Sequence, residues 1–296
     1  MKILDGKSLS ATMKLELAAE VRQLREETGI TPHLAAILVG DDGAAQTYVG
    51  NKVKSCAEVG FKSSLIQLPS SISESELIQK IRDINNDDSI HGLIVQLPLP
   101  AHISEQKIVE EMAPEKDVDG FHPINLGKMA LELPCHLPAT PYGILMLMQR
   151  GGVETKGKHC VILGRSHIAG SPMSILLSRK SDPGDCTVTL CHSRTPDIRK
   201  HTLQADILIT ALGRPGYVTA DMIKEGAVVI DIGITRIKAD NKSGYRIVGD
   251  VDFDNVAPKC SMITPVPGGV GPMTIIGLLK NTLFSAQSVA KTKSIG

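Results

Sequence analysis

Apolar residues return along this chain with two periods. A spacing of three and four sets Met13, Leu17, Val21 and Leu24 on one stripe. Ser8 or Ser10 is available as a cap and Gly29 as a stop, so the segment is predicted to be a helix. The unbroken run Leu34 to Val39 reads as a strand buried on both faces. A helix carrying Tyr48 and Lys52 follows, with Val49, Val53 and Ala57 expected on its buried stripe, and then a strand around 65–68. Ser73 and Glu76 form a capping box for a helix that turns Leu77, Ile81 and Ile84 inward. The apolar run that begins at Gly92 ends at Pro98, which cannot continue inside a sheet, so Gln96 falls near the carboxyl end of a strand. A helix around 108–112 and a loop holding Asp117 and Asp119 complete this half. Strand and helix in alternation predict a parallel sheet with helices on its faces.

The second half begins where Thr140 and Pro141 suit the cap and first turn of a helix that runs through Ile144 and Leu147 to Gly151-Gly152. Strands are predicted at 159–163, 187–191, 206–210 and 228–232, in the order of a dinucleotide-binding domain. In the last helix Ile275, Ile276, Leu278, Leu279 and Leu283 need an apolar partner, and economy of burial returns them to the first domain. The predicted organisation is two α/β domains with a cleft between them. A parallel-sheet substrate domain covers 1–140 and is joined by the helix 273–296; a Rossmann-like domain covers 141–272.

Composition narrows the function. Lys plus Arg equals Asp plus Glu at 32 each, so there is no net field to hold nucleic acid or an anionic membrane surface. With no tryptophan and four each of tyrosine and phenylalanine, a stacking platform for single strands is not expected either. No apolar run reaches membrane-spanning length and the N-terminus lacks a signal-like segment, so a cytoplasmic protein is expected. The six cysteines have no Cys-x-x-Cys pair and no zinc-type histidine spacing, so reduced thiols and no metal are expected.

The turn Gly164-Arg165-Ser166-His167-Ile168-Ala169-Gly170 follows a buried strand and opens a helix, whose first amides can hold a pyrophosphate. It lacks the middle glycine of the usual fingerprint, and an ordinary strand-to-helix turn would look similar. The next strand would carry the acid that binds the ribose hydroxyl of NAD at its far end, but that end reads His192-Ser193-Arg194-Thr195. Donors without a carboxylate suit a phosphate, so NADP is favoured over NAD.

Tyr48 and Lys52 lie one helical turn apart on one face, which most often makes a solvated surface pair. The run Thr264-Pro265-Val266-Pro267-Gly268-Gly269-Val270-Gly271-Pro272-Met273-Thr274 is stiffened by prolines and opened by glycines, which permits close backbone approach to a ligand. These two stretches stand with Gly92-x-x-Val95-Gln96-Leu97-Pro98-Leu99-Pro100, Lys116-Asp117-Val118-Asp119-Gly120, the Gly164 turn and Gly249-Asp250-Val251. Taken together and in this order, they make the chain resemble, over nearly its whole length, the bifunctional methylenetetrahydrofolate dehydrogenase/methenyltetrahydrofolate cyclohydrolase family.

That resemblance implies oxidation of 5,10-methylenetetrahydrofolate by NADP and hydrolysis of the methenyl product to 10-formyltetrahydrofolate, in a cytoplasmic homodimer. It implies Lys52 as the catalytic amine, Gln96 as its orienting partner, Tyr48 stacked on the aminobenzoyl ring and Asp119 on the pterin edge. Leu97, Pro98, Pro267, Gly268, Gly269 and Gly271 would line the folate site, and Gly164, Arg165, Ser166, Ser193 and Ile234 would hold NADP. Two departures from the family pattern are Ala139 in Pro138-Ala139-Thr140-Pro141, where a cysteine is common, and a short insertion at 182–185. The chemistry suits these types: a buried lysine can trade protons, whereas an arginine stays charged. A shikimate-dehydrogenase-like oxidoreductase, with no stacking tyrosine one turn before its lysine, and a non-catalytic NADP or folate sensor remain as alternatives.

Overall fold

The computed structural model describes residues 1–241 and 244–295. In chain order its elements are β1 (Lys2–Ile3), α1 (Gly6–Thr28), β2 (His33–Val39), α2 (Gly43–Val59), β3 (Lys62–Leu68), α3 (Glu74–Asn85), β4 (Gly92–Val95), α4 (Glu105–Glu111), α5 (Pro123–Ala130) and α6 (Ala139–Gly151). There follow β5 (His159–Leu163), α7 (Gly170–Ser178), β6 (Thr187–Cys191), α8 (Ile198–Thr202), β7 (Ile207–Thr210), β8 (Val228–Asp231), β9 (Thr235–Lys238), β10 (Tyr245–Val248), α9 (Phe253–Val256), β11 (Met262–Ile263) and α10 (Val270–Ile295).

The chain divides into two compact α/β units: Ala11–Ala139 with Ile275–Gly296, and Met1–Ser10 with Thr140–Thr274. Gly296, the last residue assigned to the C-terminal helix, lies outside the described residues. In the first unit three parallel strands are ordered β3-β2-β4, and Ala35, Ile37, Leu93 and Val95 pack against Leu77, Ile81 and Ile108 of α3 and α4. The capping box at Ser73 and Glu76 forms with both of its bonds, and it starts α3 where the pattern places it. The strand order reverses at β2, so a crevice opens at the carboxyl ends of β2 and β4, where parallel sheets bind ligands.

In the second unit six parallel strands are ordered β1-β11-β8-β7-β5-β6, with β9 and β10 as a separate hairpin. Val161, Leu163, Leu208, Val229 and Ile263 line its core. The strand order reverses at β5, which again places the turn after it at a ligand-binding crevice.

Several expectations shift. Residues 1–10 belong with the dinucleotide-type unit and not with 11–139, because Lys2 and Ile3 pair with Met262 and Ile263. α1 starts before Ser8 and Ser10, and Asp5 caps it by accepting from the Ser8 amide and hydroxyl. α6 begins at Ala139, one residue ahead of the expected Thr140 cap. In α2 the buried stripe is Val49, Lys52, Cys56 and Val59, while Val53 is half-buried and Ala57 exposed. The stripe therefore passes through the lysine instead of beside it. Among the described residues no helix is long and apolar enough to cross a membrane.

Candidate active site

Four side chains meet in the unit built on β2 and β4. α2 is started by Asp42, whose carboxylate accepts from the Ala45 amide, and is closed by Gly60 in the left-handed conformation that a side chain would strain. Between these ends Lys52 is 4 % exposed. A charge in that position is costly unless it finds partners, and three are in place. Its Nζ donates to Gln96 Oε1 at 3.5 Å, stands 3.8 Å from Asp119 Oδ1 and lies 4.8 Å from the centre of the Tyr48 ring. The ion pair is about 1 Å longer than a tight charge-assisted hydrogen bond. The amine is held, yet neither partner saturates it.

Gln96 is oriented by its own neighbours. Its backbone amide donates to Ile37 O at 2.9 Å, extending the β2–β4 ladder one residue past the strand. Its Nε2 donates to Leu97 O at 2.7 Å, which turns Oε1 towards Lys52. Leu97 and Pro98 follow directly, joined by a cis peptide bond.

Asp119 comes from a loop that a second acid builds. Asp117, fully buried, accepts from the amides of Gly120 and His122 and from Asn125 Nδ2. The two carboxylates of the loop therefore have different tasks, one inward as a brace and one towards the amine. Burial pushes the Asp119 carboxyl above its ordinary range, Lys52 opposes that shift and Asp117 adds to it. Burial also raises the Tyr48 phenol, helped by Asp119, so the ring stays neutral. Cys56, one turn beyond Lys52, is pushed up to about 12 by burial against the pull of Lys52 and remains a thiol.

The residues expected to hold the cofactor lie in the other unit. Gly164 has φ +107°, and a Cβ there would sit 2.3 Å from Ala211 O; one on Gly170 would sit 1.9 Å from Gly164 O. Only glycines allow this turn. No side chain caps the start of α7, where the Ser171 amide donates to Ser166 O, and Arg165 and Ser166 are exposed beside it. At the end of β6, Ser193 and Arg194 are exposed on a turn closed by Thr195 Oγ1, which accepts from the His192 amide. Neither arginine has an ion-pair partner among the described residues. Ile234 is 59 % exposed, with its Cδ1 3.9 Å from where a Cβ on Gly271 would lie. Pro267, Gly268 and Gly269 form a turn pinned to the start of α1: Gly268 O accepts from the Lys7 amide, and a Cβ on Gly6 would meet Gly269 O at 1.8 Å.

The family models described as Tetrahydrofolate dehydrogenase/cyclohydrolase match residues 4–119 with their catalytic domain and 138–290 with their NAD(P)-binding domain. The chain belongs to this family. The "Bifunctional protein FolD" of Cytophaga hutchinsonii is 61% identical over 287 residues, covering 97% of this chain and 99% of its own. Among solved structures, the FolD methylenetetrahydrofolate dehydrogenase/cyclohydrolase of Campylobacter jejuni superposes with TM-score 0.91 at 48% identity, covering 97% of this chain and 99% of that one. The Trypanosoma brucei enzyme, described as complexed with NADP cofactor and inhibitor, does so with TM-score 0.91 at 39% identity, covering 96% of each chain.

Two buried acids brace this unit, Asp250 from the Gly249-Asp250-Val251 motif and Asp231, which sequence reasoning did not single out. Asp250, fully buried, accepts from Thr210 Oγ1 and from the Leu212 and Arg214 amides. Asp231, which closes β8, accepts from the amides of Gly233, Asp250 and Val251. Together they fix the turns that follow β7 and β8, including the one that carries Ile234. The available signal was an acid ending the apolar run Val228-Val229-Ile230.

Proposed function

We infer that this chain oxidises 5,10-methylenetetrahydrofolate to 5,10-methenyltetrahydrofolate with NADP and hydrolyses the product to 10-formyltetrahydrofolate. The observation that carries the reading is the buried Lys52 amine, shared among Gln96, Asp119 and the Tyr48 ring. Family membership supplies the reaction class, and this constellation supplies groups suited to each step. The Tyr48 ring also speaks against the shikimate-dehydrogenase-like alternative, which has no such ring beside its lysine.

NADP, when bound, accepts the hydride. The residues of the chain hold the folate so that transfer is a matter of position, with Tyr48 stacked on its aminobenzoyl ring and Asp119 accepting from the pterin amino groups. In the hydrolysis, water adds to the methenyl carbon and loses a proton. One carbon–nitrogen bond of the five-membered ring then breaks as that nitrogen gains a proton. Lys52 relays these protons, and Gln96 Oε1 aims the amine. The family resemblance supports Leu97, Pro98, Pro267, Gly268, Gly269 and Gly271 as folate contacts and Gly164, Arg165, Ser166, Ser193 and Ile234 as NADP contacts. It also supports a cytoplasmic homodimer, which light scattering would register as twice the chain mass.

Lys52→Met keeps the apolar stem and removes the amine. In an absorbance assay with methylenetetrahydrofolate and NADP, the methenyl product should accumulate in this variant without enzymatic decay, while NADP affinity stays unchanged. Decay at the wild-type rate would overturn the role given to Lys52.

A further inference from the structure

α10 carries a polar face that its apolar pattern hides. Asn281, Thr282 and Ser285 are 3 %, 0 % and 6 % exposed, in a helix whose neighbouring positions Leu278, Leu279 and Leu283 are core leucines. Burying polar groups in such a setting is unfavourable unless each finds a partner. Thr282 Oγ1 donates to Leu278 O of its own helix, and the other two reach the loops on either side of α5. Asn281 Nδ2 donates to Val118 O and to Leu137 O, both at 2.8 Å. Ser285 Oγ, one turn on, donates to Glu115 O at 2.9 Å. Both acceptors of Asn281 are carbonyl oxygens, so the amide nitrogen must face them and both of its hydrogens are used.

Val118 directly precedes Asp119, and little freedom is left around it. A Cβ on Gly92 would lie 2.8 Å from Val118 Cγ1 and 3.1 Å from Thr282 Oγ1, so the loop, β4 and α10 meet at van der Waals distance there. Leu93 bridges Asp117, and Asp119 O accepts from the Ala139 amide. β4 leads straight into Gln96, so the contacts that fix Val118 against Gly92 also fix the spacing between the two polar partners of Lys52.

We propose that Asn281 is a positioning residue for the folate reaction: by holding the carbonyls of Val118 and Leu137, it sets the Asp119 carboxylate opposite Lys52. The inference rests on the assignment of Asp119 to the folate site. Asn281 touches neither folate nor cofactor, and its effect passes through the loop.

The test uses the full chain. Asn281→Asp conserves size but turns an anion towards two carbonyls; Asn281→Ser removes the bridge with less disturbance and serves if the first variant misfolds. In either folded variant the KM for methylenetetrahydrofolate should rise about tenfold or more, while the KM for NADP stays within about twofold of the parent. A purely structural role would lower the melting temperature and the active fraction and leave both KM values in place, and that result would overturn the proposal. Tetrahydrofolate affinity, measured by calorimetry in a cycle with Asp119→Asn, separates this inference from the reading beneath it. If Asn281 acts through Asp119, Asn281→Ser should weaken binding in the parent and add no further loss to Asp119→Asn. Independent, additive losses would overturn the positioning role alone. Undiminished binding and activity in Asp119→Asn itself would overturn the site assignment, and this inference with it.

Discussion

Lys54 and Glu58 of α2 are exposed, whereas Lys52, two residues before the first of them, is buried, and its partners differ in how firmly they are aimed. Gln96 is the most constrained, since its Nε2 is committed to Leu97 O and only Oε1 is left for the amine. Gln96→Glu would place an oxygen against that carbonyl and a second anion beside Asp119. Cyclohydrolase kcat should fall by about tenfold or more, because the glutamate must turn away from Leu97 O and carry the amine with it; a kcat within twofold of the parent in stopped-flow hydrolysis would contradict this. Asp231 invites a pH experiment. Burial holds its carboxyl at about 6, with Asp250 adding to the shift and the amides of Val251, Asp250 and Gly233 opposing it. The folded state therefore binds this proton more tightly than the unfolded chain does. Its stabilising contribution is complete below about pH 4 and is lost as pH rises through about 6, a span of about 3 kcal/mol at most. The stability of the parent relative to Asp231→Asn, from urea unfolding, should fall between those pH values and stay level on either side. A difference that is level across the whole range would show that the carboxyl is not raised.

At the scale of elements, the β5 turn and the end of β6 present exposed donors at neighbouring strand ends. Replacing Arg165 and Ser193 with alanine should weaken NADP far more than NAD, by at least tenfold for the pair, because only NADP carries the 2′-phosphate they are assigned to hold. Equal losses in a fluorescence titration with the two cofactors would misplace the phosphate. Elements were legible wherever local chemistry repeats over several residues. Ser73 with Glu76, the apolar runs of β2 and β4 and the glycine stop after α1 all act within one or two turns. What escaped the pattern depends on distant partners. β1 and β11 are two residues each, too short to show a period, and are strands only because they pair with each other and with β8. The stripe of α2 was misplaced at Ala57 because a lysine was expected at the edge of the core and not in it. Asn281 and Ser285 carry no local signal either, since nothing near them in sequence points to the carbonyls of Val118 and Glu115 that accept from them.

Over the whole molecule, the chain passes from one unit to the other within α1, at the start of α6 and within α10. Neither unit is a continuous stretch of sequence, and each borrows an end from the far side of the chain. For the dinucleotide-type unit the borrowed piece is Met1–Ser10, which covers the edge of β11 with β1 and gives Gly268 O its donor from the Lys7 amide. Gly6 also lies so close to Gly269 O that no side chain could take its place. The turn at 267–271 is thus shaped partly by residues more than 250 positions earlier in sequence. This yields a comparison of two fragments: one spanning 140–274 alone, the other with residues 1–10 joined to it through a flexible linker. The residues proposed to hold NADP, Gly164, Arg165, Ser166, Ser193 and Ile234, are present in both, so both should retain some NADP binding. The first leaves the β11 edge unpaired and the 267–271 turn without its brace, and each buried hydrogen bond lost costs about 1 kcal/mol in addition to the apolar cover from Leu4. The linked fragment should therefore melt several degrees higher and bind NADP more tightly. Its 267–271 amides should also exchange hydrogen more slowly than those of 140–274. Identical melting and exchange in the two fragments would mean that residues 1–10 follow the unit without helping to build it.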